Sequence, residues 1–341
     1  MPRYDQTQRN RPMAGIATLV FGLFMFSFQD VIIKAFSDQY SVLQIVFIRC
    51  SVALVPIVIA ILWISGWRGF VAYEPRLLLL RGLFGFLSYL GYYLAIAALP
   101  LAEVVTIVFS APIFITVLSV VLLKEKVGAR RWSAILVGFL GVVVVVGPSG
   151  QIADLAVILA LLTALTYALM SIVTRYVGAS DAPWTMSLYS VVVFILGSVV
   201  ASLLVAVFEP AFNTEDPSLQ FLLRPWVVPT TTDLLLMIFI GLNWSVGSYC
   251  LAKAYSVAPV SVVAPFEYTY IIWAVLFGYL IWSEVPAVTT FVGLGLLIGS
   301  SLYILRRELR TRDQNTESEL APRPAASTRQ ADDPPVKAAG G

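Results

Sequence analysis

LAEVVTIVFSAPIFITVLSVVLLKEKV, residues Leu101 to Val127, has an echo later in the chain: VSVVAPFEYTYIIWAVLFGYLIWSEVP, Val260 to Pro286. Offset by 159 positions, Leu101 meets Val260, Ala102 meets Ser261, Phe109 meets Tyr268 and Glu125 meets Glu284. Each copy is a small-residue entry, an apolar run of roughly 20 residues and one acid just beyond it. At ~1.5 Å per residue such a run crosses an apolar layer about 30 Å thick. The flanks differ. Glu125 sits among Lys124, Lys126, Arg130 and Arg131, whereas Glu284 has no basic neighbour before Arg306. Since basic residues stay on the cytoplasmic side, the two copies are expected to face opposite sides of a membrane.

Composition agrees. The chain of 341 residues is 59% hydrophobic and 12% charged, against about 25% charged for soluble domains, so its solvent is a lipid bilayer. Cys50 and Cys250 lie inside apolar runs, which argues against a structural disulfide or a zinc site. Histidine is absent, so proton-linked chemistry falls to carboxylates. There is no phosphate-binding loop, metal-ligand cluster or Ser/His/Asp arrangement, and the reading is of no enzyme and no cofactor. Basic residues follow one membrane face and not a nucleic-acid surface.

Ten crossings are expected: Met13 to Ile33, Val42 to Trp63, Leu77 to Ala98, Leu101 to Leu123, Trp132 to Val146, Ile152 to Thr174, Trp184 to Phe208, Leu234 to Ala254, Ala258 to Trp282 and Ala287 to Leu305. Turn residues such as Pro100, Pro148, Pro183 and Pro286 separate them. A long loop, Glu209 to Asp233, precedes the eighth crossing, and the tail beyond Arg312 reads as disordered. With a cytoplasmic N-terminus, sixteen Lys and Arg up to Arg312 fall inside and only Lys34 and Arg224 outside. The expected fold is all-α and integral to the membrane, ten transmembrane helices as two inverted five-helix repeats, with both termini cytoplasmic. Its parts are a cytoplasmic N-terminus (1–12), repeat 1 (13–147), repeat 2 (152–305) and a disordered cytoplasmic tail (306–341). Odd-numbered repeats reverse on duplication, and inverted repeats are a transporter architecture.

The chain resembles the drug/metabolite transporter superfamily, in its EamA-type members. The likeness is carried by Arg49, Arg81-Gly82, Tyr93-Leu94-Ala95 running to Leu99-Pro100-Leu101-Ala102, Ala111-Pro112, Leu123-Lys124-Glu125-Lys126, Arg131-Trp132, Ala264-Pro265-Phe266-Glu267-Tyr268-Thr269 and Glu284-Val285-Pro286. The Pro-Phe-Glu-Tyr-Thr run is similar to the branch named for S-adenosylmethionine uptake. The resemblance implies a multi-pass inner-membrane secondary transporter that works by alternating access. Its central cavity would lie between the third, fourth, eighth and ninth crossings, and its substrate would be a small organic metabolite, amino-acid-like or S-adenosylmethionine-like. The competing expectations are an exporter of drugs or metabolites and, further off, a non-transporting sensor or channel.

Charged and amide groups inside apolar runs are the site candidates. Arg49 lies on the order of 12 Å into its crossing and needs a carboxylate, a carbonyl or an anionic ligand. Glu267, near mid-depth, can pair with Arg49, bind a cationic substrate group or carry a coupled proton. Asn243 must find a partner on another helix or a ligand. Tyr89 and Trp244 suit stacking on a planar solute or a cation–π clamp. Tyr268 and Tyr270 complete the set, and Tyr92, Tyr93 and Trp273 stand at similar depth. Asp30 and Lys34 read as a local i,i+4 ion pair. Pro112 and Pro265 suit bends in two related helices. Gly138, Gly141, Gly293, Gly295 and Gly299 suit close helix packing or a dimer contact, so both monomer and homodimer are open.

Overall fold

The computed structural model describes residues 12–123, 129–146, 154–177, 181–208, 215–257, 264–300 and 302–303. Glu125 with its lysine neighbours, the N-terminal arm and the tail lie outside the described residues. The described chain is helical and holds no strand. In order come α1 (Pro12–Phe36), α2 (Val42–Ile64), α3 (Pro75–Ala98), α4 (Leu101–Val108), α5 (Ala111–Leu123), α6 (Ala129–Val146), α7 (Leu155–Val177), α8 (Pro183–Phe208), α9 (Pro217–Leu223), α10 (Thr231–Val257) and α11 (Tyr270–Trp282), then α12 (Val288–Ser300). Two 3-10 turns stand beside them, Gly66–Phe70 and Ala264–Thr269.

Local chemistry sets the ends. Ser41 caps α2, its hydroxyl accepting from the Leu43 N–H at 3.3 Å, and Pro75 opens α3, where its missing N–H costs nothing. Among the described residues six helices are long and apolar enough to cross a membrane, and four shorter apolar stretches accompany them. Their outer faces present apolar side chains: on α8, Leu196, Leu203 and Val207 are exposed, as expected where lipid replaces water as solvent. The core runs through the centre of the bundle. It holds Ile33 and Phe36 of α1, Ile45 and Val46 of α2, Tyr93 and Leu94 of α3, Val104 of α4, Ile240 of α10 and Ile271 of α11. The most extensive packing joins early helices to late ones: α3 to α7, α1 to α10 and α2 to α8.

Three expectations need correcting. The fourth crossing is not one helix: it breaks at Phe109-Ser110, between α4 and α5. Pro112 has no N–H to give the Val108 carbonyl, so the ladder cannot continue through it, and the Ser110 carbonyl restarts it by accepting from Ile113 at 2.9 Å. The echo of this break is the 3-10 turn Ala264–Thr269, which contains Pro265 and gives way to α11 at Tyr270. The loop from Glu209 to Asp233 is not all loop. It contains α9, whose cap Asp216 accepts from the Leu219 N–H at 3.1 Å, and α10 already begins at Thr231.

The two copies of the echoed stretch meet. The Leu101 N–H, opening the first, donates to Glu284 Oε2, closing the second, at 3.1 Å. Further along, the rings of Phe109 and Tyr268 pack edge to face with centroids 5.2 Å apart. As numbering rises along one copy it falls along the other, so α4 and α11 run antiparallel. Part of the glycine stripe is used inside the chain: a Cβ on Gly141 would lie 2.8 Å from the Gly293 carbonyl oxygen. Gly295 and Gly299 face open space.

Candidate functional site

α1 supplies the spine of the site. Met25, Gln29 and Asp30 fall within little more than one turn, and Lys34 follows one turn later. Gln29 and Asp30 are each 3% exposed. Around them α3 brings Tyr89, Tyr92 and Tyr93, α2 brings Arg49, α10 brings Asn243 and Trp244, and α11 brings Tyr270 and Trp273.

Three phenols converge on Asp30. Tyr93 donates to Oδ1 at 2.6 Å, Tyr92 donates to Oδ2 at 2.6 Å, and Tyr270 donates to the same Oδ2. Gln29 Nε2 in turn donates to the Tyr93 hydroxyl oxygen at 2.9 Å, and Arg49 Nη1 reaches Gln29 Oε1 at 3.4 Å. One chain of hydrogen bonds therefore links guanidinium to carboxylate without direct contact between them. The carboxylate whose charge Arg49 faces across this chain is Asp30.

Arg49 is 1% exposed. Its guanidinium carbon stands 4.0 Å from the Tyr89 ring centre and 5.6 Å from that of Trp244. Aromatic faces replace water around a cation that cannot discharge. Nη2 reaches Cys50 Sγ at 3.5 Å. Among the described residues, four buried polar atoms in this neighbourhood have no hydrogen-bond partner: Arg49 Nε, the Tyr89 hydroxyl, Asn243 Oδ1 and Trp273 Nε1. Each such atom costs about 1–3 kcal/mol if nothing satisfies it.

A second polar cluster lies beyond the first on α1. Lys34 Nζ sits 2.5 Å from Glu284 Oε1, donates to the Leu99 carbonyl at 3.1 Å and lies 5.2 Å from the Trp282 ring centre. Glu103 is the second acid near this lysine. The backbone aims Glu284 here. Ser283 ends α11 with φ at 57°, and the Glu284 N–H folds back onto the Gly278 carbonyl at 3.1 Å.

The expected residues separate into groups. Arg49, Tyr89 and Trp244 come together, and Tyr270 joins them through Asp30. Asn243 anchors α10 to α1 by donating from Nδ2 to the Met25 carbonyl at 2.6 Å. Tyr268 packs on Phe109, and Glu267, on the same 3-10 turn, is partly exposed with Tyr167 of α7 as its neighbour. The local Asp30–Lys34 pair is corrected: Asp30 takes the phenols, and Lys34 takes an acid 250 positions away. Gln29 and Asp30 are the members that sequence reasoning undervalued. Their signal was present, as adjacent hydrogen-bonding side chains in an apolar run with a Tyr-Tyr pair available in another.

A helical bundle with lipid-facing sides, bent paired helices and a buried charged centre between its early and late halves defines a polytopic solute-transport protein. The chain belongs to the EamA-like transporter family, which matches residues 13–147 and 154–306. As a member it is a multi-pass inner-membrane transporter. Among curated proteins it is similar to the S-adenosylmethionine uptake transporter of Rickettsia prowazekii (strain Madrid E), at 24% identity over 89% of this chain and 97% of that protein. It is also similar to the riboflavin transporter of Vibrio cholerae serotype O1, at 30% identity over 69% of this chain and 74% of that protein. A solved crystal structure shares the fold with a TM-score of 0.57 at 14% identity, covering 86% of this chain and 98% of that one.

Proposed function

We propose that the protein is a secondary active transporter that moves a small organic metabolite, amino-acid-like or S-adenosylmethionine-like, by alternating access. The observation that carries this reading is the pair of buried opposite charges, Asp30 and Arg49, bridged by Gln29 and Tyr93 and walled by aromatic rings. An α-amino acid presents an ammonium and a carboxylate together, which matches an acid and a guanidinium held apart. A sulfonium or a planar base adds what Tyr89, Trp244 and the phenols recognise. The partnerless Arg49 Nε, Asn243 Oδ1 and Trp273 Nε1 are hydrogen-bonding capacity that a solute would use. In this reading Asp30 joins Arg49, Asn243, Trp244, Tyr89 and Tyr270 as the binding set. Glu267 and Tyr268 serve the approach to it, and a carboxylate carries any coupled proton.

The finer architecture is part of the proposal. Six long and four shorter apolar helices support ten crossings. Two inverted repeats, 13–147 and 152–305, are supported by the pattern of packing. Exchanging the halves turns α1 on α10 into α7 on α3, and leaves α2 on α8 and α4 on α11 in place. Alternating access then amounts to rocking one half against the other, with the bends at Phe109-Ser110 and Thr269-Tyr270 as hinges.

The test is flux into proteoliposomes with S-adenosylmethionine, amino acids and riboflavin as the panel. Saturable uptake with counterflow for one of them is expected. Flux that does not saturate, or none with any solute, overturns the carrier reading.

A further inference from the structure

Away from the residues of the charged centre, a cavity of about 370 Å³ opens between α2, α8, α9 and the segment that follows α9. Leu43, Phe47, Val199, Leu203, Val205 and Leu222 give it an apolar wall. Leu203 is 64% exposed, so the cavity opens on the lipid-facing side of α8. Among the described residues Arg224 is the one charged lining residue, and its Nη1 is buried there without a hydrogen-bond partner. The described lining contains no acid.

The rim that carries Arg224 is built. Gln44 clamps the segment from both sides, Nε2 donating to the Val227 carbonyl at 2.6 Å and Oε1 accepting from the Val227 N–H at 3.1 Å. Ser41 Oγ donates to the Leu222 carbonyl at 3.4 Å, and Trp226 packs on Phe47 with ring centroids 5.2 Å apart. Both sides of the arginine are thus fixed to α2, and the guanidinium is held at the mouth of an apolar groove. A half-buried cation with no acid beside it among the described residues, above a lipid-facing slot, is matched by an anion with a hydrocarbon tail. Without an acid in the lining, a headgroup ammonium would find no counter-charge.

We propose that this groove binds one anionic glycerophospholipid, its phosphate on Arg224 and an acyl chain between α2 and α8. The proposed topology puts the site in the outer leaflet, where Lys34 is the other cation and is already paired with Glu284. A guanidinium grips a phosphate with two parallel hydrogen bonds, and Trp226 marks the headgroup level. The lipid would stiffen the contact between the two halves, because α2 and α8 come from different ones.

Delipidated full-length protein in detergent, titrated with dioleoyl phosphatidylglycerol and observed by native mass spectrometry, tests this. One tightly held lipid per chain is expected, weakened at least 10-fold by Arg224→Gln and by Ser202→Phe, which fills the groove and spares the guanidinium. Arg224→Lys should fall between. Phosphatidylcholine should bind at least 10-fold more weakly than phosphatidylglycerol, and glycerol 3-phosphate should not compete. Equal retention by wild type, Arg224→Gln and Ser202→Phe overturns the site. So does equal binding of phosphatidylcholine, or competition by glycerol 3-phosphate, which would make Arg224 a free-phosphate site.

Discussion

Two polar clusters share helix α1, one turn apart, and they are built on opposite plans. At Asp30 the carboxylate touches no cation: phenols occupy both oxygens, and Arg49 stands beyond Gln29 and Tyr93. At Lys34 the cation meets its acid directly at 2.5 Å, with backbone groups of Leu99 and Leu101 completing the contact. A direct pair closes on itself and leaves little for a solute to compete for. A pair held apart by neutral hydrogen-bonding groups keeps its charges available, because phenols and an amide can turn toward an incoming ion at modest cost. In the proposed function this contrast gives recognition to Asp30 and Arg49, while Lys34–Glu284 fastens α1 to α11 and to the start of α4.

The sharpest way to break that assignment is Asp30→Asn. The amide keeps the size, removes the charge and turns an acceptor into a donor facing two phenol donors at Oδ2. Removing a buried charge that a bound cation meets costs about 2–5 kcal/mol of binding, so transport should fall on the order of 100-fold while the protein still folds and elutes as a monodisperse species. Uptake within about 3-fold of wild type would move recognition away from Asp30. Arg49→Lys should be next. An ammonium keeps the charge and loses the planar face stacked on Tyr89; an affinity loss of about 10-fold is expected from binding isotherms, with the larger effect on solutes that carry a carboxylate.

At the other cluster, Lys34→Met and Glu284→Gln should each cost about 1–3 kcal/mol of stability, and the double variant less than the sum. Thermal unfolding in detergent gives the cycle, and substrate affinity should stay within about 2-fold. Strict additivity would show that the direct pair is no fastening. A large affinity change would show that the two clusters do not divide the work.

How much of this could be read beforehand follows from where each signal lies. The echoed stretch was legible because its period, its proline and its terminal acid are all local. Even the partnership of Phe109 with Tyr268 was there as a match of positions, although their physical contact was not. Arg49, Tyr89, Trp244 and Tyr270 stood out as polar or aromatic groups in apolar runs. Their grouping did not, because which helix faces meet is set by packing across the bundle and leaves no mark in any one helix. Asp30 shows the limit most clearly. The i,i+4 rule is right about isolated helices, where a lysine one turn away is the nearest charge. In a bundle, α3 and α11 offered Asp30 three hydroxyls, and the turn at Ser283 delivered Glu284 to Lys34.

That turn carries the smallest expected effect. Ser283 is the one non-glycine residue with positive φ among the described residues, and a side chain in that region costs roughly 1–2 kcal/mol. Ser283→Gly removes the cost but frees the unfolded chain, so the net gain should be below about 1 kcal/mol. The informative reading is in combination. If Ser283 matters because it aims Glu284 at Lys34, Ser283→Gly should stabilise the wild type and the Lys34→Met variant unequally, since only the first has a cation for Glu284 to hold. Equal shifts in both backgrounds would reduce the turn to a helix terminus and leave the direct ion pair to organise itself.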